Sequence, residues 1–170
     1  GAAGVFGELT VFESVADEFT KRVVKFTKSL KLGNGLKPDT DLGPMINLRQ
    51  LEDVHHRVRQ AVNDGARVLC GGRRSPKFKK GFFYEPTVLT DVEHEMNLVR
   101  TETFGPVLPI MRVKDIDHAI WLANDSTFGL GANIYTNNME WAMKAMERIT
   151  AGTFWINDPL SDNDAGPFGG

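Results

Sequence analysis

Cysteine is nearly missing from this chain: Cys70 is the only one among 170 residues. That excludes an intramolecular disulfide and any zinc site built on several thiolates. A basic excess is missing too. Lys and Arg total 20 against 22 Asp and Glu, for a net charge of -2, whereas a nucleic-acid surface is normally basic and clustered. The one local cluster, Arg73, Arg74, Lys77, Lys79 and Lys80, lies among Gly, Pro and Ser with no alternating aromatics. It reads as a solvated loop. No apolar run approaches the ~18 residues of a membrane span, and the opening Gly-Ala-Ala-Gly lacks the charged head of a signal peptide. The expectation is a soluble cytoplasmic protein (mitochondrial matrix is the eukaryotic alternative) with neither nucleic acid nor membrane as partner. The four histidines, His55, His56, His94 and His118, show no metal-ligand spacing. Adjacent residues on a helix cannot both face one ion, so no metal site is expected.

What is present suffices for a packed core. Apolar residues make up 41% and charged residues 25%, ordinary values for a globular chain. A chain of this size buries roughly 70% of its unfolded surface without a staple. Residues 9 to 13 are β-rich and predict a strand. Ser14 then stands as a helix cap, with Val15, Phe19, Val23, Phe26 and Leu30 at helical spacing as the inward stripe. Asn47 with Gln50 predicts a capping pair for a second helix, lined inside by Leu48, Leu51, Val54, Val58 and Val62 and stopped by Gly65. Short strands are expected at 67–70 and 82–89, the latter with Pro86 marking an edge or a bulge.

Further on, the pattern alternates. Val107 to Val113 reads as a strand, and Asp115 caps a helix with Ile116, Ala119, Ile120 and Ala123 inward. Ala132 to Thr136 is a strand, and Asn138 caps a helix burying Trp141, Ala142, Ala145, Met146 and Ile149. Gly152 to Asn157 is a last strand. Strand-helix alternation with short links predicts an α/β fold, a mostly parallel sheet with helices on both faces, over a single domain at 1–170. No phosphate-cradling glycine loop is present, because the Gly-Gly pairs lack the strand-to-helix setting.

Thr101-Glu102-Thr103-Phe104-Gly105-Pro106-Val107 leaves a carboxylate and a ring at the entrance of a strand. On its own this is a turn into a buried strand. With three other segments in the same order it resembles the catalytic domain of the NAD(P)-dependent aldehyde dehydrogenases. Those segments are Lys31 to Asn34 with Asp39 to Pro44, Gly65 to Gly72 with Gly81 to Thr87, and Ala123 to Asp125 through Gly129-Leu130 to the closing Gly152–Asn157 and Pro167 to Gly170. The resemblance runs from about residue 9 to the last residue.

The family oxidises aldehydes through a cysteine thiohemiacetal that passes hydride to NAD or NADP, with a glutamate activating water. The resemblance puts the nucleophile near Ala2, Ala3 or Gly4, where this sequence has no cysteine, and matches Cys70 to a structural strand end. The general-base glutamate, the oxyanion asparagine and the main dinucleotide-binding domain belong to sequence upstream. The resemblance therefore implies no catalytic residue in this chain, a domain cut at both ends and inactive alone, and the rest of an aldehyde dehydrogenase polypeptide as partner. The complete enzyme is expected to be a homo-oligomer. Glu102 is expected to accept hydrogen bonds from the nicotinamide ribose hydroxyls, with Phe104 packed beside the same ribose. Phe104 equally reads as a core aromatic, and Gln50 as a ribose contact or simply a helix cap.

Asn157, Asp158 and Phe168 bracket a loop at the end of a buried strand, the place where open α/β sheets hold ligands. The resemblance makes it a wall of the aldehyde-binding tunnel. Asp158, Asp162 and Asp164 would suit a cationic aldehyde, although loops are also simply polar. Two further readings stay open: a non-catalytic binding domain with this fold, and a CoA-acylating or reductase relative.

Overall fold

The computed structural model describes residues 9–158, 166 and 169, and the chain divides into two compact units, 1–112 and 113–170. In the first, β1 (Leu9–Phe12) leads directly into α1 (Glu13–Ser29). After a long loop come α2 (Leu48–Asn63), β2 (Arg67–Cys70), β3 (Thr87–Thr90), the short α3 (Asn97–Arg100) and β4 (Val107–Val113). The strands lie in the order β1-β4-β3-β2. β3 runs parallel to β4 with Val88 opposite Leu108, while β2 is antiparallel to β3, with a register shift between Val68 and Cys70.

Side chains alternate across this sheet, and each face has its own helix. Val88 and Ile110 pack with Val11 and with Ala16, Val23 and Val24 of α1. Leu89, Val107 and Met111 pack with Leu51, Val54, Val58 and Ala61 of α2. All four residues of β3 are buried, as a strand covered on both faces requires. The expected α/β layering, with helices on both faces, is what the structure has.

Two details differ from the sequence reading. α1 starts at Glu13, with Phe12 rather than Ser14 at the cap position. Its buried residues are Ala16 and Thr20, whereas Val15, Phe19 and Phe26 are exposed. Small side chains let the helix lie close to the sheet, which the larger ones one position away would prevent. Likewise the expected 82–89 strand is shorter. Tyr84 makes only an isolated bridge to Arg74, and β3 begins at Thr87, just past Pro86. Proline has no N–H to give a ladder, so it stands before an interior strand and does not mark an edge.

On α2, Asn47 Oδ1 accepts from Gln50 N at 2.9 Å, and Gly65, at φ 113°, follows the helix end. Leu48 is exposed, and the buried line is Leu51, Val54, Val58 and Ala61.

The second unit contains α4 (Ile116–Asn124), β5 (Gly131–Ile134), α5 (Met139–Arg148) and β6 (Thr153–Ile156). The predicted caps form: Asp115 Oδ1 accepts from His118 N at 2.8 Å and Asn138 Oδ1 from Trp141 N at 3.1 Å. β5 and β6 pair in parallel with each other as a two-stranded sheet. Ile116, Ile120, Ala142 and Ala145 are buried as expected, but Met146 is exposed. Asp117 on α4 binds both Lys144 and Arg148 of α5, at 2.7 and 2.6 Å. No helix among the described residues is long and apolar enough to cross a membrane.

Candidate functional site

Residues 101–106 form no helix or strand, so their backbone polar groups need partners from elsewhere. α2 provides them. Gln50, Val54 and Arg57 fall at i, i+4 and i+7 and so share one helical face. Gln50 Nε2 donates to the Phe104 carbonyl at 2.9 Å. Arg57 Nη1 donates to the Glu102 carbonyl and, at 3.0 Å, to Thr103 Oγ1. Thr103 Oγ1 in turn donates to the Thr101 carbonyl at 3.2 Å.

Between the two polar anchors the helix comes too close for a side chain. A Cβ on Gly105 would meet Val54 Cγ2 at 2.7 Å and Cγ1 at 3.1 Å. The Pro106 carbonyl then accepts from Thr87 N at 2.8 Å, which brings the segment onto the β3–β4 ladder.

The structure therefore brings Gln50, Glu102 and Phe104 together. Glu102 is half-buried, and its carboxylate has no partner among the described residues. Gln50 gives its backbone N–H to the Asn47 cap, and its side chain goes to Phe104 and not back to Asn47. With the amide nitrogen committed, Gln50 Oε1 is left as an acceptor. Phe104 is 57% exposed and is not a core aromatic. Arg57 and the Val54–Gly105 contact were absent from the sequence reading. The signal that could have found them is the 50/54/57 spacing, once Gln50 was suspected.

In the second unit, Asn157 takes a left-handed φ of 54° just after β6. Its side-chain amide mimics a strand. Oδ1 accepts from Thr136 N at 2.8 Å and Nδ2 donates to the Thr136 carbonyl at 2.9 Å. The Asp158 carbonyl accepts from the Tyr135 hydroxyl at 2.7 Å. The side chain of Asn157 thus already closes the end of the β5–β6 pair. Phe168, Asp162, Asp164 and the Ala2, Ala3 and Gly4 positions lie outside the described residues.

Cys70 ends β2 and packs against the cluster of Val11, Ala16, Val88 and Ile110. Burial pushes its thiol up from the ordinary value, the opposite of an activated nucleophile. Tyr84 is 1% exposed, its hydroxyl 3.2 Å from His55 Nδ1, and burial raises its phenol strongly.

The model of the aldehyde dehydrogenase family matches residues 6–170. The chain is 39% identical to aminoaldehyde dehydrogenase 2, peroxisomal, of Pisum sativum, over 95% of its own length and 32% of that protein's. It is also 39% identical to a protein of Sinorhizobium fredii named "Probable succinate-semialdehyde dehydrogenase", over 98% of this chain and 33% of that one. Betaine aldehyde dehydrogenase of Staphylococcus aureus, solved in complex with NAD+, superimposes with a TM-score of 0.91 at 33% identity, covering 96% of this chain and 33% of that chain. The chain thus spans about a third of the length of these relatives. It belongs to the aldehyde dehydrogenase family.

Proposed function

We propose that these 170 residues are the catalytic-domain portion of an NAD(P)+-dependent aldehyde dehydrogenase, and that Glu102, Phe104 and Gln50 form its contact with the nicotinamide half of the cofactor. The observation that carries this reading is the half-buried Glu102 carboxylate, unpartnered among the described residues, on a segment held from behind by α2. A vicinal diol offers two donors, and a fixed carboxylate accepts both. Gln50 Oε1 adds an acceptor and the exposed Phe104 ring an apolar face, so the donor and acceptor sets fit a ribose.

When bound, NAD(P)+ accepts hydride as the aldehyde is oxidised to the acid. The part of this chain is to orient: a ribose gripped at its hydroxyls cannot rotate, which reduces the entropy lost on reaching the reactive geometry. The nucleophilic thiol and the water-activating carboxylate come from elsewhere in the complete polypeptide, since Cys70 is raised and structural. Asn157, Asp158 and Phe168 are proposed to border the aldehyde. In this role Asn157 acts by fixing the backbone at the end of β6. The complete enzyme is proposed to be a homo-oligomer acting on a small aldehyde, in the cytoplasm or another compartment where such relatives occur.

The test is the complete polypeptide with NAD+ or NADP+ and a panel of neutral, anionic and cationic aldehydes, followed by nicotinamide absorbance. Aldehyde-dependent reduction is expected, and Glu102→Gln should raise the KM for cofactor far more than that for aldehyde. No aldehyde-dependent reduction of either cofactor would sink the proposal.

A further inference from the structure

We propose that Arg57 is the positioning residue that sets the Glu102 carboxylate in place for the cofactor. The inference rests on the cofactor role of Glu102 proposed above. Its basis is where the guanidinium points. A half-buried arginine near a glutamate would ordinarily pair with the carboxylate, and that pair would neutralise the acceptor. Here Arg57 Nη1 instead binds the main-chain carbonyl of Glu102 and the hydroxyl of Thr103. The cation fixes the backbone of the residue and leaves its carboxylate unpartnered among the described residues.

The anchor extends in both directions. Through Thr103 Oγ1 it reaches the Thr101 carbonyl, and two residues on Gln50 takes the Phe104 carbonyl. Carbonyls 101, 102 and 104 are therefore each held by a side chain, in a segment that has no ladder of its own. Of these bonds only those from Arg57 carry a charge, which makes them the stronger ones. Arg57 also sits one helical turn from Val54, whose methyls abut Gly105. The helix face therefore sets both the height and the tilt of the segment. Losing the arginine frees the Glu102 main chain while leaving the carboxylate chemistry intact, so the effect belongs on cofactor affinity.

The experiment uses the complete polypeptide carrying Arg57→Ala, Arg57→Lys, Thr103→Val, Glu102→Gln, or Arg57→Ala with Glu102→Gln. Each is titrated with NAD+ and with NADP+ for dissociation constants, alongside Tm and the KM for aldehyde. The expected result is a rise in the cofactor dissociation constant of about tenfold for Arg57→Ala, worth about 1.4 kcal/mol. The aldehyde KM should stay within about twofold, and Arg57→Lys, which keeps the charge and a donor, should recover part of the loss. Thr103→Val should give a smaller rise in the same direction. The double variant should bind no worse than Glu102→Gln alone, because the arginine acts through that carboxylate.

An unchanged cofactor constant in Arg57→Ala or, if that variant does not fold, in both Arg57→Lys and Thr103→Val overturns the inference, provided Glu102→Gln is impaired. A Glu102→Gln variant that binds both cofactors like the parent overturns the cofactor reading itself, and this inference with it. Additive losses in the double variant would mean that Arg57 acts by another route, and would also overturn it.

Discussion

Replacing Gly105 by alanine tests the contact on which the candidate site is built. The added Cβ would stand 2.7 Å from Val54 Cγ2 and 3.1 Å from Cγ1, where carbon atoms normally rest at about 3.5–4.0 Å. About 1 Å of overlap must therefore be relieved. Val54 has no freedom to relieve it: it is fully buried on α2, and a β-branched residue in a helix has essentially one rotamer. Either α2 moves from the sheet or residues 102–106 move from α2. Overpacking of this kind costs about 1–3 kcal/mol, read as a lower midpoint in urea unfolding.

The decisive assay is a double-mutant cycle with Val54→Ala. Alone, that change deletes two buried methyls and costs about 2 kcal/mol with its cavity. Combined with Gly105→Ala it removes both clashing atoms, leaving Met45 Cε at an ordinary 3.5 Å. The double variant should then be more stable than the sum of the singles predicts, by about 1–2 kcal/mol. Additivity within about 0.5 kcal/mol would refute the steric account, because residues in contact should couple.

Gly71→Ala should be more damaging still, by upwards of about 2 kcal/mol in urea unfolding. The backbone there has φ 72° and a Cβ would lie 2.3 Å from the Pro86 carbonyl oxygen, so a loss below about 0.5 kcal/mol would contradict the observed turn. Tyr84 gives a pH prediction. Burial holds its phenol above the ordinary 10.0, so above that pH the unfolded chain releases a proton that the folded chain keeps. Stability is unaffected by this group below pH 10 and falls as pH rises beyond it, by about 1.4 kcal/mol per unit. Tyr84→Phe should lack that component of the slope in unfolding measured between about pH 9.5 and 11, and an unchanged slope would count against it. Asn157→Ala removes both bonds to Thr136 and should cost about 1–2 kcal/mol. A raised aldehyde KM at unchanged Tm in the complete polypeptide would instead mean that the side chain meets substrate directly.

Much of this architecture was legible because it is local. Asn47, Asp115 and Asn138 cap their helices as their sequence neighbourhoods require, and a cap needs only the next three residues to form. The inward face of α1 was misread in part, for a related reason: Val23 packs as expected, but Val15, Phe19 and Phe26 do not. Periodicity places Val15, Phe19 and Phe26 on one stripe and Ala16 and Thr20 on the next, and apolar bulk favours the first. The distance from helix to sheet chooses the second, and distance is not written in a periodic pattern. Pro86 shows the same limit. Its missing N–H was correctly expected to disturb a strand, but whether the strand is peripheral depends on β4 pairing beyond it.

The site divides along this line as well. Glu102 and Phe104 could be singled out because they sit together in one heptapeptide, and Gln50 because it falls where the resemblance implies a ribose contact. What gives those residues a fixed position is 45 to 54 residues away in sequence, as with Arg57 to Glu102 and Gln50 to Phe104. A loop with no hydrogen-bond ladder depends on such distant donors for much of its shape. The Glu-x-Phe-Gly-Pro stretch therefore takes its observed shape in company with a helix face that offers a long polar side chain on either side of Val54. Gly105 is what that proximity demands, so the glycine of the heptapeptide and the valine of the helix are two halves of one requirement.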